Sequence, residues 1–225
     1  MPNRLSIIIP CLNEAKEIGS LLESLQPLRQ AGHEVILVDG GSHDATTKIA
    51  KPFVDQLLSS LPGRAGQLNT GAAAANGTIL WFLHADTELP IGASDKVIAG
   101  VNSGAIWGRF DVRLSGQQAL LRVVAFMMNL RSRLTGIATG DQAIFVKRDV
   151  FDHVGGFPDM SLMEDIALSK QLKKLAQPLC VRLKLVTSSR RWEKQGILRT
   201  IVLMWCLRLG FALGINPKQL ARWYS

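Results

Sequence analysis

Residues 5–10, LSIIIP, form a continuous apolar run rich in isoleucine, the pattern of a strand buried on both faces of a parallel sheet. Polar positions follow, with Asn13 placed to cap a helix, and Leu21, Leu22, Leu25 and Leu28 then recur at helical spacing until Gly32. Residues 34–38 predict a second strand and 44–53 a second helix. This β, α, β, α alternation predicts an α/β fold with a mostly parallel, doubly wound sheet and flanking helices. Residues 65–75, rich in alanine and closed by Asn76 and Gly77, predict another helix, and 78–83 a strand that delivers His84 and Asp86.

The second half is less regular. Residues 106–114 and 142–147 read as strands, with an apolar helix over 118–134 between them and GGFP at 155–158 as a turn. A helix over 164–175 and a strand over 178–186 follow. Residues 197–215 are apolar apart from Arg199, Thr200 and Arg208, and Asn216 and Pro217 open a last short helix. The expected organisation is one domain over 1–192, divided into halves 1–104 and 105–192, with a basic, apolar helical appendage over 193–225. There is no internal repeat or low-complexity linker.

Charge sharpens this division. The chain of 225 residues carries +8 net charge, and residues 182–225 hold nine basic side chains against Glu193 alone, so the rest is neutral overall. A basic tail on a neutral body points to a localised anionic partner. Its basic residues sit among aliphatics without a regular aromatic platform, which disfavours nucleic acid. The three cysteines, Cys11, Cys180 and Cys206, are far apart and lack zinc-type spacing, as expected in a reducing compartment. The run after Met1 is too short for a secretory signal core, so a cytoplasmic location is expected.

Four polar stations then stand out. Asp39, in VILVDGGSHDAT, and Asp86, in ILWFLHADT, each end a strand-like run, where open α/β sheets collect ligands. A carboxylate at the first position can accept hydrogen bonds from a nucleobase or ribose. Its alternative role is a helix cap, for which Ser42 and Asp44 are better placed. The GGS after Asp39 is not GxGxxG, which disfavours a dinucleotide fold. Asp86 can hold a hard cation against two phosphates, with His84 as second ligand or as an orienter of the turn; the alternative is a surface turn. Glu164 and Asp165 open a helix, where the macrodipole favours anions, and neighbours there diverge by about 100°, so one faces a ligand and the other is structural. Asp165 is placed as the proton acceptor. In SSRRW, Arg190 and Arg191 offer guanidiniums to phosphate and Trp192 a flat ring to a sugar or apolar acceptor.

The ordered set resembles the family 2 glycosyltransferases of GT-A fold from about Leu5 to Trp192. SIIIPCLNE is similar to the family's opening strand and turn, VDGGSHDAT to its nucleotide-binding carboxylate segment and GRAGQLNTGAAAANG to its K/RxxxLNxG segment. HADT stands at the DxD position, GGF and MED on the acceptor side, and SSRRW at QxxRW. The resemblance implies a nucleotide-binding half over 1–104, with Pro10, Asn13, Glu14, Asp39, Gly40, Ser42, Arg64, Asn69 and Asp86 around the nucleotide-diphosphate sugar. It implies manganese or magnesium on Asp86 and His84. Glu164, Asp165 and Arg191 would be catalytic, with Arg191 on the diphosphate, and Gly140, Asp141, Gln142 and Trp192 would meet the acceptor. His84 replaces the first DxD aspartate, and Ser188 replaces the glutamine of QxxRW, which speaks against processive polymer synthesis. GRAxQLNxG, FLHADT, TGDQAIFV and RRW are also similar to a small subgroup associated with arsenosugar biosynthesis.

The implied reaction is single-displacement glycosyl transfer with inversion. A nucleotidyltransferase on a similar sheet is a rival, disfavoured by the lack of an early glycine-rich, lysine-bearing phosphate loop. A non-catalytic nucleotide or membrane-surface module is another. Arg208 at the centre of 197–215 would cost about 2.5–3.5 kcal/mol in a spanning helix, so packing on the domain or lying at the cytoplasmic membrane face is expected. With VVAFMMNL, this helix would make an apolar dock for a lipid-linked or otherwise apolar acceptor, or simply pack as core.

Overall fold

The computed structural model describes residues 3–224; Met1, Pro2 and Ser225, the outermost positions of the expected 1–192 and 193–225 segments, lie outside the described residues. The chain runs through β1 (Leu5–Cys11), α1 (Ile18–Ser24), α2 (Gln26–Gln30), β2 (Glu34–Asp39), α3 (Thr46–Ala50) and β3 (Gln56–Ser59). It continues through α4 (Arg64–Ala74), β4 (Ile79–Phe82), α5 (Ala93–Asn102), β5 (Trp107–Leu114), α6 (Ala119–Thr135) and β6 (Phe145–Lys147). Last come α7 (Arg148–His153), α8 (Glu164–Leu175), β7 (Leu179–Thr187), α9 (Arg190–Gln195), α10 (Ile197–Ala212) and α11 (Pro217–Tyr224).

The strands form one seven-stranded sheet in the order β3-β2-β1-β4-β6-β5-β7. Only β6 runs against its neighbours, pairing antiparallel with β4 and β5. Both faces are covered because successive residues of each inner strand point opposite ways. Ile7 and Ile9 of β1 pack with Leu21, Leu22 and Val97 from α1 and α5 on one face. Ile8 packs with Leu68, Phe151 and Leu168 from α4, α7 and α8 on the other. The isoleucine run of 5–10 is therefore apolar on both sides for the reason the pattern predicts.

Local departures have local causes. The helix expected to run unbroken to Gly32 breaks at Leu25, because Pro27 sits in the first turn of α2 and has no N–H to continue the ladder. Asn13 does not cap α1. It takes a left-handed conformation with φ 56°, and its Oδ1 accepts the His43 N–H at 2.9 Å. The strand expected at 142–147 shortens to β6, because residues 140–142 form a 3-10 turn.

After β7 the chain is wholly helical. Ile197 of α10 joins Leu121, Val124 and Ala125 of α6, and Leu207 joins Met163, Ile166 and Leu220. The outward side of α10 leaves Leu198, Val202, Trp205 and Leu209 exposed. Among the described residues no helix is long and apolar enough to cross a membrane.

Candidate active site

The ends of β1, β2 and β4 are tied together before any ligand is considered. Asp39, 6% exposed, accepts the Gly41 N–H at 3.1 Å, the Ser42 N–H at 3.0 Å and the Ser42 hydroxyl at 2.5 Å. The Asn13 N–H donates to Ser42 Oγ at 2.9 Å and the Glu14 N–H to Thr46 Oγ1 at 2.8 Å, so the loop after β1 is laced to the loop after β2. Gln67 reaches from α4 and donates through Nε2 to the carbonyls of Cys11 and Val38, both at 2.8 Å. Its amide fills the space beside Gly40, so a larger residue there would press on it. Asp39 and Ser42 thus shape this rim through their own turn, with Asp39 also within 3.7 Å of Cys11 Sγ. Burial, then the Asp39 charge, pushes the Cys11 thiol up to about 12, which leaves it protonated and inert at neutral pH.

Beside this rim lies a cleft of about 200 Å³ lined by Pro10, Cys11, Glu14, Arg64, Gln67, His84 and Asp86, among others. Asp86 Oδ1 and His84 Nε2 are buried there without a protein hydrogen-bond partner. Burial, then the Arg64 charge, pushes His84 well below its ordinary value, so the imidazole is neutral and keeps a lone pair. Arg190 stands over the opening, its guanidinium 3.4 Å from Asp86, 3.5 Å from Glu14 and 3.1 Å from Glu17. Burial raises Glu14, and Arg190 opposes that shift.

Gly140 joins the cleft to the Glu164 and Asp165 carboxylates. A side chain at Gly140 would press on Arg64 Nη2 and His84 Nε2 and force these groups to shift, so glycine here allows the close approach. Its N–H donates to Asp165 Oδ2 at 2.7 Å, while the Ile166 N–H donates to Oδ1 at 2.7 Å. Burial raises Asp165, although Arg64 and the two amides pull the other way. Glu164, 5% exposed, pairs with Arg64 Nε at 3.2 Å and is raised by burial and then by Asp165. Met163, with φ 70°, makes the turn that presents both carboxylates. Among the described residues three non-glycines have positive φ, namely Asn13, Ala143 and Met163, and each lies in a loop bordering this site. Strained backbone gathered in one place is characteristic of functional sites.

Several expected contacts fall elsewhere. Arg191 does not reach the cleft; its guanidinium lies over the Tyr224 ring at 3.4 Å and donates to the Tyr224 carbonyl. The guanidinium beside Asp86 is that of Arg190. Asn69 is occupied at both ends of its amide by the Phe157 backbone, at 2.8 and 2.9 Å, and braces the GGF turn instead of lining the cleft. Gln142 is fully buried, its Oε1 accepting the Thr139 N–H at 3.2 Å, so it closes the 3-10 turn and offers nothing to an acceptor. Trp192 packs with Leu121, Val124 and Ile197 between α6 and α10. Asp141 keeps Oδ1 buried and without a hydrogen-bond partner.

A hard cation fits this chemistry. Among the described residues no group of three or more histidine, cysteine or carboxylate side chains could enclose a metal. The partnerless Asp86 and His84 atoms instead suit an ion that takes one or two protein ligands and completes its shell with phosphate oxygens and water.

An open, mostly parallel sheet whose strand ends carry this acidic cleft defines an α/β protein of GT-A type. Residues 6–154 match the sequence model of glycosyl transferase family 2, and the chain belongs to that family. Glycosyltransferase AglE of Haloferax volcanii is 30% identical over 171 residues, which covers 68% of this chain and 56% of that protein; the chain spans little more than half of that relative's length. Among solved structures, glucosyl-3-phosphoglycerate synthase of Mycobacterium tuberculosis, in complex with Mn2+, UDP and glucosyl-3-phosphoglycerate, superposes with a TM-score of 0.66 at 21% identity, covering 92% of this chain and 80% of that one. Mannosyltransferase PcManGT of Pyrobaculum calidifontis, in complex with GDP-Man and Mn2+, gives 0.61 at 22% identity, covering 83% and 57%.

Proposed function

We propose that this protein transfers a sugar from a nucleotide-diphosphate sugar to an acceptor hydroxyl. One observation carries the reading: Glu14, Arg64, His84 and Asp86 share a cleft, and Gly140, which lies against Arg64 and His84, is hydrogen-bonded to Asp165. Residues 1–104 supply the donor half and 105–192 most of the acceptor half. Asp86 and His84 would hold manganese or magnesium, which when bound neutralises charge on the departing diphosphate. Arg64 and Arg190 add guanidiniums for the same oxygens.

The acceptor hydroxyl gives its proton to Asp165 as its oxygen bonds to the anomeric carbon. The bond from that carbon to the diphosphate breaks, and the nucleoside diphosphate leaves with the electron pair. Attack opposite the leaving group inverts the anomeric configuration. Raised by burial, Asp165 is a stronger proton acceptor than an ordinary carboxylate, and its two amide bonds fix its direction. Positioning and electrostatics carry the rate.

The exposed Phe126, Met127, Val202 and Trp205 on α6 and α10 favour an apolar or lipid-linked acceptor and peripheral contact with a membrane face. The narrower likeness to the arsenosugar-associated subgroup is compatible with this reading and leaves the acceptor open. The test is a panel of nucleotide sugars screened by thermal shift with manganese, followed by product analysis. Binding of one donor class and release of its nucleoside diphosphate is expected. Release of pyrophosphate would indicate nucleotidyl transfer instead, and no binding by any member would sink the proposal.

A further inference from the structure

The underside of α6 holds three arginines in two different situations. Arg109 on β5, fully buried, and Arg133 on α6 both pair with Asp111, and Asn129 of α6 secures β5 through the Val112 N–H and carbonyl, each at 2.9 Å. These charges are neutralised as buried charges normally are. Arg131, two positions before Arg133, has no carboxylate within ion-pair distance among the described residues. Its Nε is buried without a hydrogen-bond partner, and its one hydrogen bond runs from Nη2 to Thr139 Oγ1 at 3.5 Å.

Arg208 of α10 faces the same place: it shares a helix face with Ile197 and Ile201, eleven and seven positions earlier, which pack with Val124 and Met128 of α6, and Arg131 follows these two by seven and three positions on their own face. Arg208 has neither an ion pair nor a hydrogen bond among the described residues. Arg199, nine positions earlier, lies on the exposed side of the same helix. Burial and then the nearby Arg208 hold the Arg131 guanidinium down at about 10, while Asp141 and Asp165 act in the opposite direction. Asp141 and Asp165 act on Arg208 too. Two half-buried cations therefore repel one another beside the proposed base, and Asp141 Oδ1 in the same region also lacks a partner. Leaving such charges unpaired is costly, and both remain partly open to solvent, so an anion can enter.

We propose that Arg131 and Arg208 form the seat for a phosphate group carried by the acceptor, placing its hydroxyl at Asp165. The assignment to the acceptor rests on the reading of Asp165 as base; the anion seat does not. A phosphate offers oxygens to both guanidiniums at once. It lies between α6 and α10 near Asp165 and is made of other guanidiniums than Arg64 and Arg190, which serve the proposed donor cleft.

The test is thermal shift with inorganic phosphate at constant ionic strength, on wild type, Arg131→Met and Arg208→Met. Wild type should gain several degrees by mass action, and each variant should lose more than half of that gain. In phosphate-free buffer the variants should melt at or above wild type, because each removes an unpaired charge. An undiminished phosphate gain in both variants, or no gain in wild type, would overturn the seat. So would a large fall in the variants' melting temperature without phosphate, since the arginines would then be holding the fold. Arg131→Lys and Arg208→Lys keep the charge and should retain part of the gain.

Glycerol phosphate in solution and phosphatidic acid in phosphatidylcholine vesicles separate the two sources. The one that competes with inorganic phosphate in wild type but not in the methionine variants names the source; competition by neither would overturn the assignment to an acceptor. A UDP or GDP shift with manganese, run alongside, reports the donor cleft. A phosphate gain without any nucleotide gain would sink glycosyl transfer and leave the seat standing, and the reverse would sink the seat alone.

Discussion

The cleft at the ends of β1, β2 and β4 and the helical face formed by α6, α10 and α11 are held by different forces. Around the cleft, side chains bind backbone: Gln67 takes two carbonyls, Asp39 closes its own turn, and Ser42 and Thr46 lace one loop to the next. The helical face is held by apolar contacts among Leu121, Ile197, Leu207 and Leu220, and much of its surface is uncovered, with Trp205 68% exposed. Directional bonds fix one geometry and apolar contacts permit several. The cleft, the proposed nucleotide side, is therefore pre-organised, and the helical face, the proposed acceptor side, can adapt.

The largest expected effect falls where the two regions meet. Asp165→Asn should lower turnover by roughly 10²- to 10⁴-fold, as is typical for loss of a general base, with nucleotide affinity nearly intact. Unchanged turnover in steady-state kinetics would remove Asp165 from the mechanism. Its raised pKa fixes the sign of the pH response, since the base must be deprotonated: kcat/KM should climb with pH along a limb displaced above the ordinary carboxylate range. Stability responds oppositely in two places. Burial alone would raise Glu34, but hydrogen bonds from Ser6, Asn76 and Gly77 hold it low, so its contribution is lost as pH falls through that lowered value. Glu164 and Asp165, both raised, bind protons more readily folded than unfolded, so their contribution declines as pH rises toward their folded values.

Adjacent arginines sharpen the contrast next. Arg190→Ala should weaken nucleotide-diphosphate binding by roughly tenfold, the scale of one charged hydrogen bond, with little change in melting temperature. Arg191→Ala should do the reverse, lowering the melting temperature through its lost contact with Tyr224. Calorimetric titration and a melt on each variant decide it, and equal effects on donor binding would erase the distinction.

The smallest effects concern the scaffold. Gln67→Ala removes two buried hydrogen bonds and should cost about 1–3 kcal/mol in denaturant unfolding. Trp205→Ser, on the uncovered face, should stay within about 0.5 kcal/mol. Comparable losses would mean that the helical face is as tightly specified as the cleft.

The sheet was largely legible because both-face burial writes continuous apolar runs at 5–10, 34–38 and 78–83. The edge strand β3 was not, since Gln56–Ser59 carries only two leucines and is no more than half-buried, on one side. The α5 helix has Ala93, Val97 and Val101 at helical spacing, but the polar residues between them dilute the signal. Asp86, His84, Glu14 and Arg64 were readable as strand-end and loop residues and share the cleft. Gln67 was hidden, because a glutamine in an alanine-rich helix reads as surface. Neighbouring side chains on a helix differ by about 100°, so the choice between Arg190 and Arg191 depends on where α9 begins, which is not written in SSRRW. Arg131 and Arg208, far apart in sequence, become visible as a pair only when α6 and α10 are packed.

The most direct test of the central claim is calorimetric titration of UDP and GDP into wild type and Asp86→Ala, with and without manganese. The account predicts that one nucleotide binds wild type more tightly with manganese and that Asp86→Ala abolishes this gain. Affinity indifferent to both manganese and Asp86 would contradict it.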